Sequence, residues 1–292
     1  MANTIPNVYI QTFEKNVRFL AQQKGSKLRP YVQMRGGDLG EKHNWERVGT
    51  IEATTKTGRG VQSPILDTPF SRRVATPVTK HAGDLVEPED VVQMLVDPAS
   101  SITTAMGYAM GRAVDDLIIA AATGTALDGQ GNANAIPAAQ LNPGTLQNTA
   151  ISLSAVSQVQ KLFLSNNIDP EVKKVAVVSP GQMENLLQID KATSMFFVNQ
   201  KALAEEGIIK NWMGFDWIVS NRLLQYNSGA STRCLFFSEN ALGFMMNKDI
   251  WTRAEENPDK SFAWQIYSAF TGGAVRVEDE HMVAVDFLNA AV

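Results

Sequence analysis

One cysteine in 292 residues leaves no partner for an internal disulfide. Cys234 sits in the apolar run Arg233-Cys-Leu-Phe-Phe237, which reads as a buried, inert thiol rather than a nucleophile. Histidine is nearly as scarce. His43, His81 and His281 stand alone, none with a second histidine, a cysteine or paired carboxylates at a metal-ligand spacing. The chain holds neither His-Glu-x-x-His nor Gly-x-Ser-x-Gly, so the common zinc and serine-nucleophile frameworks are excluded, though not catalytic groups remote in sequence. The N-terminus lacks a basic head followed by an apolar run, so no secretory signal is read, and no apolar stretch reaches bilayer length. The chain is therefore expected to be cytosolic when made, with no membrane partner, no cofactor, no metal and no catalytic residue.

Apolar residues make up 44% of the chain, enough for a sizeable core in one large domain or two ordinary ones. Charge is unevenly spread. Residues 1–80 carry 13 Lys and Arg against 6 Asp and Glu, and the remainder carries 13 against 24, so +7 and −11 underlie the net −4. A basic arm on an acidic body fits either nucleic acid or the acidic body of a second copy; a solvated basic face is the plainer reading. The basic stretch has no interleaved aromatics to stack bases, and a pI of about 5.5 is low for a dedicated nucleic-acid binder.

The chain is organised around residues 97–124. Asp97-Pro98 bars an earlier helix start, Ser100 or Ser101 can cap the first turn, and Gly124 is placed as a left-handed stop. The spacing predicts a helix over 99–123, about 35 Å long at 1.5 Å per residue. Ile102, Met106, Ala109, Ala113, Leu117 and Ala120 would share its apolar face, with Thr104, Tyr108, Arg112 and Asp115 opposite. Gly107 and Gly111, four apart, admit either a close backbone approach or an ordinary tight core contact.

Before this helix, Ile10, Phe13, Val17 and Leu20 share one face of a segment ended by Lys24-Gly25-Ser26. Strand-like runs at 45–54 and 71–79 flank a basic, glycine-rich tip, Lys56-Thr-Gly-Arg-Gly60, and predict a long hairpin whose return strand Pro77 confines to an edge or bulge. Such a hairpin buries little of its own and is expected to be ordered by other subunits. Residues 81–97 hold five acidic residues and no Lys or Arg. Residues 124–150 read as structureless. Their Asp128 run has Ala133 and Ala139 where a calcium loop needs Gly and Glu, and their glycines follow a helix where a phosphate cradle follows a strand. Residues 151–247 read as a mixed unit: helices around Val156 and Met183 and at 201–206, Ser179-Pro180 as a cap, and strands at 174–178, 215–219, 233–237 and 242–246. A charged turn at 255–260 precedes strands at 262–270, 274–277 and 282–287. Glu278-Asp-Glu-His281 reads as a solvated turn rather than an acid–base site.

In order and spacing, Phe13-Glu-Lys-Asn-Val17, Gln22-Gln-Lys-Gly-Ser26, Asp67-Thr-Pro69, Ser71-Arg-Arg73, Asp97-Pro98, residues 109–121, Val178-Ser-Pro180, Gly214-Phe215, Lys248-Asp-Ile250 and Asp259-Lys-Ser-Phe262 resemble a tailed-bacteriophage major capsid protein with the Hong Kong 97-type fold. The resemblance implies an α+β fold. Residues 1–35 would be an N-terminal arm and 36–85 an extended loop lying across an adjacent subunit. Residues 86–150 and 248–292 would be a peripheral domain with spine helix 99–123, and 151–247 an axial domain. It implies self-assembly as hexamers and pentamers of an icosahedral shell around packaged double-stranded DNA, contacted non-specifically. A separate scaffold protein, a portal and a decoration protein would be further partners, with assembly in the host cytoplasm and residence in the virion. No lysine–asparagine pair is identifiable as a covalent cross-link.

The inter-subunit contact candidates are Lys56, Arg59, Arg72 and Arg73 on the loop, Asp84, Glu87 and Asp90 on the acidic segment, and Glu255, Asp259 and Lys260 at the charged turn. Gly107 and Gly111 are the candidate bend positions of the spine helix. Two alternatives stand beside this reading: an encapsulin-like cellular compartment, and a small-molecule enzyme with residues 124–150 as a lid.

Overall fold

Helix α1 runs from Pro98 to Thr123 in the computed structural model, which describes residues 22–36, 40–63, 65–87, 98–189 and 209–289. Proline suits the first turn because its missing N–H has no partner there in any case. The buried stripe is Met106, Met110, Val114, Ile118 and Ala122 at four-residue steps, joined by Ile119. The expected stripe was rotated from this one: Ala109, Ala113 and Leu117 are half-buried and Ala120 is exposed. A helix this rich in alanine is apolar over most of its circumference, so the larger Met, Val and Ile side chains decide the face. Asp115, expected opposite, is fully buried and accepts the Ser26 hydroxyl (2.5 Å) and the backbone N–H groups of Lys27 (3.0 Å) and Leu28 (3.1 Å). Gly124 is not left-handed. Its N–H continues the ladder to Ala120 O at 2.9 Å, and a side chain there would meet that same oxygen at 2.6 Å. An added Cβ at Gly107 meets nothing within 4 Å, so no close approach occurs there.

The largest core lies on a six-stranded sheet. Strands β7 (Lys174–Val178), β8 (Asn211–Trp212), β9 (Phe215–Val219), β10 (Gln225–Tyr226) and β11 (Ser231–Ser238) follow the order β10-β11-β7-β9-β8, and β14 (Met282–Leu288) pairs antiparallel with β11. Helix α2 (Leu153–Ser165) lays Val156, Val159 and Phe163 against it, with Phe215, Trp217, Phe236, Val283, Val285 and Phe287 from the strands. Residues 282–288, grouped on sequence with the peripheral segments, thus belong to this sheet. Helix α3 (Pro180–Leu187) starts after Ser179 as expected, but the Ser179 hydroxyl donates to Gln182 Oε1 instead of capping the backbone.

Residues 124–150 are not structureless. Strands β5 (Ala126–Asp128) and β6 (Ala133–Asn134) form a small hairpin, and residues 140–149 run along β14, exchanging backbone bonds with Ala284, Asp286 and Leu288. Buried strand edges need such partners, and side-chain periodicity does not reveal them.

Strands β2 (His43–Val48) and β3 (Phe70–Ala75) pair antiparallel in register His43↔Ala75 to Val48↔Phe70, and β5 pairs with β3, giving the order β2-β3-β5-β6. The ladder stops at Gly49 N–H to Pro69 O, 2.8 Å, well short of the expected 54. Pro69 has no N–H to carry it on. The expected return strand splits at Thr76-Pro77, and β4 (Val78–Val86) leaves for another sheet, β1-β12-β13-β4, with β1 (Gln33–Gly36), β12 (Leu242–Asn257) and β13 (Ala263–Arg276). The charged turn expected at 255–260 is half strand: Glu255–Asn257 extend β12, and Pro258–Lys260 with left-handed Ser261 and Phe262 make the reversal. Residues 5–21 of the first amphipathic segment and the helix expected at 201–206 lie outside the described residues; Gln22 and Gln23 are not helical.

The described residues group into two compact units. One holds 22–25, 80–87, 98–112 and 250–270, with Val86, Ile102, Met106 and Ile266 as its core. The other holds 26–36, 40–63, 65–79, 113–189, 209–249 and 271–289.

Candidate assembly surfaces

The extended loop is rooted by packing and by a buried charge cluster. Trp45 of β2 is 5% exposed and lies flat on Gly243, where an added Cβ would fall 2.5 Å from the ring. One β3 residue away from the solvent, Arg73 is buried and its Nη2 donates to Asp279 Oδ2 at 2.6 Å. The same carboxylate takes Arg276 Nε on its other oxygen at 2.5 Å. Arg276 is fully buried and donates further to Gly124 O (2.7 Å), Ala122 O (3.3 Å) and Asn134 O (3.0 Å). One guanidinium therefore satisfies carbonyls at the end of α1 and on β6 while Asp279 ties it to the loop strand. Arg73 is consequently not a surface contact. Arg72, its neighbour on the other face, is half-exposed and pairs with Glu46 across the ladder at 2.5 Å. Arg276 and Asp279 were missed in the sequence, because an arginine inside a strand and an acidic turn each look solvated.

Every described residue from Val48 to Asp67 is exposed, including Lys56 and Arg59. So are the loop's apolar residues: Ile51 is 52% exposed, Ile65 93%, and Phe70 at the root 73%. Asp84 and Glu87 are exposed at and just beyond β4, Asp84 accepting the Leu85 N–H. Glu255, Asp259 and Lys260 are exposed near the β12–β13 reversal, Glu255 pairing with Arg253. Asp90 lies outside the described residues. Gly111 is buried on α1 and Gly107 half-buried.

Three features resemble chemistry and are structural. Asp128 Oδ1 accepts the N–H groups of Gln130 and Asn132, both at 2.8 Å, an Asx turn. The side-chain and backbone bonds from Asn132, with those from Gln130 and Gly131, hold its carboxyl below the ordinary range. Ser238, His281 and Glu278 align as nucleophile, base and acid, with Ser238 Oγ 2.7 Å from His281 Nδ1 and His281 Nε2 3.1 Å from Glu278. Ser238 is fully buried and offers its hydroxyl to no substrate. The array, with Asp279, makes the 278–281 turn a fastened one, not the solvated turn the sequence suggested. Burial pushes the Cys234 thiol up to about 12. Among the described residues no group of three His, Cys, Asp or Glu is placed to hold a metal ion.

In the sheet core, Arg233 and Asp286 face each other across β11 and β14, bonded twice at 2.7 and 2.8 Å. Burial pushes the Asp286 carboxyl up, but hydrogen bonds from Arg233 and Asn142 and the Arg233 charge outweigh it and hold the group below its usual 3.8. A carboxyl depressed by folding contributes stability that is fully present above about 3.8 and is lost as pH falls through the lower folded value. Urea midpoints of the unassembled subunit are expected to fall between pH 5 and about pH 2. The Asp286→Asn variant should start lower and show a shallower acid limb; an unchanged limb would refute this pair as a contributor.

Among the described residues, the surfaces left open are thus an extended loop and a hairpin reversal. A phage capsid protein family model matches residues 5–289. The chain belongs to the phage capsid protein family. No curated protein sequence matches it. Among solved structures, this capsid protein is similar to the capsid of the cyanophage P-SCSP1u (TM-score 0.72, 17% identity, 97% of this chain and 94% of that one). It is also similar to that of Ralstonia phage GP4 (0.73, 14%, 99% and 97%) and to a structure from Mycobacterium phage Che8 (0.70, 16%, 99% and 100%). The α+β architecture expected from the sequence, of the Hong Kong 97 type, holds. The family is one of phage capsids, which favours a virion shell over the encapsulating compartment that the same fold serves.

Proposed function

We propose that this chain is the repeating subunit of an icosahedral virion shell, assembling as hexamers and pentamers around packaged double-stranded DNA. One observation carries the reading: a loop of about twenty residues, exposed at every described position from 48 to 67, holds Ile51, Ile65 and Leu66 out to solvent. Apolar side chains held out in this way mark an interaction surface. A neighbouring subunit supplies the cover, and Lys56, Arg59 and Arg72 meet acidic residues there, Asp84, Glu87 and Asp90 among them. The sheet of β7, β9, β11 and β14 is read as the domain meeting at the capsomer centre, and the β12–β13 reversal with Glu255, Asp259 and Lys260 as the contact at three-fold points. Gly107 and Gly111 are where the spine helix bends if it bends during maturation. The role is structural rather than catalytic, which the burial of Ser238 in the Ser238–His281–Glu278 array supports. A separate scaffold protein, a portal and a decoration protein complete the particle, which assembles in the host cytoplasm and contacts DNA without sequence readout. No described helix is long and apolar enough to cross a membrane.

The test is the double variant Lys56→Glu with Arg59→Glu. Both positions are exposed, so subunit stability should shift by no more than about 0.5 kcal/mol. Closed shells in negative-stain micrographs, abundant for the unaltered protein expressed with its scaffold, should be lost. Normal shells from the variant would remove these charges from the assembly contact.

A further inference from the structure

The β12–β13 hairpin ends in an unusual way. Ser261 and Phe262 both have left-handed backbone, at φ 51 and 57. A bulky aromatic residue there is strained, and glycine would relieve the strain. The chain nevertheless places a ring at the tip and leaves it 63% exposed. Strain and exposed apolar surface at one residue are both unfavourable in an isolated subunit, which points to a contact made only in the assembled state.

The same hairpin carries a receptor of matching chemistry. On one face lies a ladder of rings: His81 stacks on Tyr267 at 5.8 Å, and Tyr267 meets Trp251 at 5.5 Å. Trp251 and Tyr267, with Arg253, Glu255 and Gln265, line a groove of about 210 Å³. A cavity of about 150 Å³ already holds a benzene ring. Ile266, whose side chain projects to the opposite face, packs with Val86 and Met106, so the core of this unit lies on the far side of the sheet from the groove. Phe262 does not line its own groove. The charges also match. Asp259 and Lys260 are exposed in the turn that precedes the ring, and Arg253 and Glu255 rim the groove in an ion pair exposed on both partners, weakly held and able to exchange.

Resting on the shell reading above, we infer that Phe262 of one copy seats in the Trp251–Tyr267 groove of a neighbouring copy, with Asp259 pairing to the neighbour's arginine and Lys260 to its glutamate. Knob and groove are different patches of one hairpin, so the contact can repeat head-to-tail, and about a three-fold axis it closes into a ring of three. An aromatic anchor in a charge-rimmed pocket is the usual form of a contact hot spot.

The buried, unreactive Cys234 permits a direct test by paired cysteines. In Phe262→Cys/Arg253→Cys, the two positions of one chain are several residues apart along the hairpin, beyond the roughly 7 Å a disulfide spans. Shells of this variant, recovered at reduced yield because the ring is gone, verified by micrograph and treated with oxidised glutathione, should run as covalent trimers on non-reducing gels. Neither single variant should cross-link. Shells without trimers, or dimers from Phe262→Cys alone, would overturn the knob-and-groove contact. Failure of the unaltered chain to form shells would instead overturn the reading beneath it. Phe262→Gly gives an independent readout with opposite signs. The unassembled subunit should unfold at an equal or higher urea midpoint, while shell yield falls about tenfold or more. Unchanged yield would refute the role of the ring.

Discussion

Asp279→Ala is expected to destabilise the unassembled subunit by about 3–5 kcal/mol, a large share of the whole stability of a domain. Among the described residues the carboxylate is the only acidic partner of two buried arginines: Arg276, with no exposed side-chain surface, and Arg73, with 8%. Removing it leaves Arg276 its three carbonyls but no neutralising charge, and leaves Arg73 a buried cation whose Nε already lacks a partner. A buried charge deprived of its counter-ion costs far more than the intact pair contributes, because the desolvation cost stays while the attraction goes. The measurement is urea unfolding of assembly-arrested subunits, read as a lower midpoint at unchanged slope. The loss should be local first: β3 carries Arg73, so limited proteolysis should cut between residues 40 and 75 sooner than elsewhere. Replacing all three, as Arg73→Met, Asp279→Leu and Arg276→Met, should recover part of the loss but leave the carbonyls of Ala122, Gly124 and Asn134 without a donor. If Asp279→Ala falls within 1 kcal/mol of the unaltered protein, the cluster is not what roots the loop.

Phe236→Ala should cost about 3–5 kcal/mol by a different route. The Phe236 ring is fully buried and lies 5.5 Å from Phe215, 6.1 Å from Trp217 and 6.4 Å from Phe287, mostly edge to face. Truncation removes the transfer energy of the ring and leaves a cavity that three rigid aromatics cannot collapse to fill. It also cuts the edge-to-face contacts, worth about 0.5–1.5 kcal/mol per pair beyond the buried area. Phe236→Leu keeps much of the volume and should lose clearly less. The check is the difference in urea midpoint between the two variants. Equal losses would mean that the site relaxes around any smaller side chain, and that the aromatic cluster is not tightly packed.

These two sites differ in how far they could be read from the chain. Phe236 lies in a four-residue apolar run, Cys234 to Phe237, and Val156, Val159 and Phe163 recur at helical spacing; local pattern is enough to place both inside. The spine helix is legible for the same reason, since Pro98 and the alanine-rich run mark its extent. Its face is not. Asp115 is buried because the N–H groups of residues 27 and 28 converge on its carboxylate, and those donors are nearly ninety positions away.

The sequence by itself determined the class of this protein: a mixed helix-and-sheet capsid fold, a long helix, a basic extended loop and no local catalytic framework. Periodicity, turn residues and composition carry that much because each is a local property. Only the tertiary structure decided which charges are buried and which are offered to neighbours. Arg72 and Arg73 are adjacent and chemically alike, yet strand alternation sends one to solvent and the other onto Asp279, two hundred residues away. The same holds for β14, whose place beside β11 satisfies backbone groups that no side-chain pattern reports. It holds as well for Phe262, an ordinary aromatic until its left-handed backbone and its exposure are seen together.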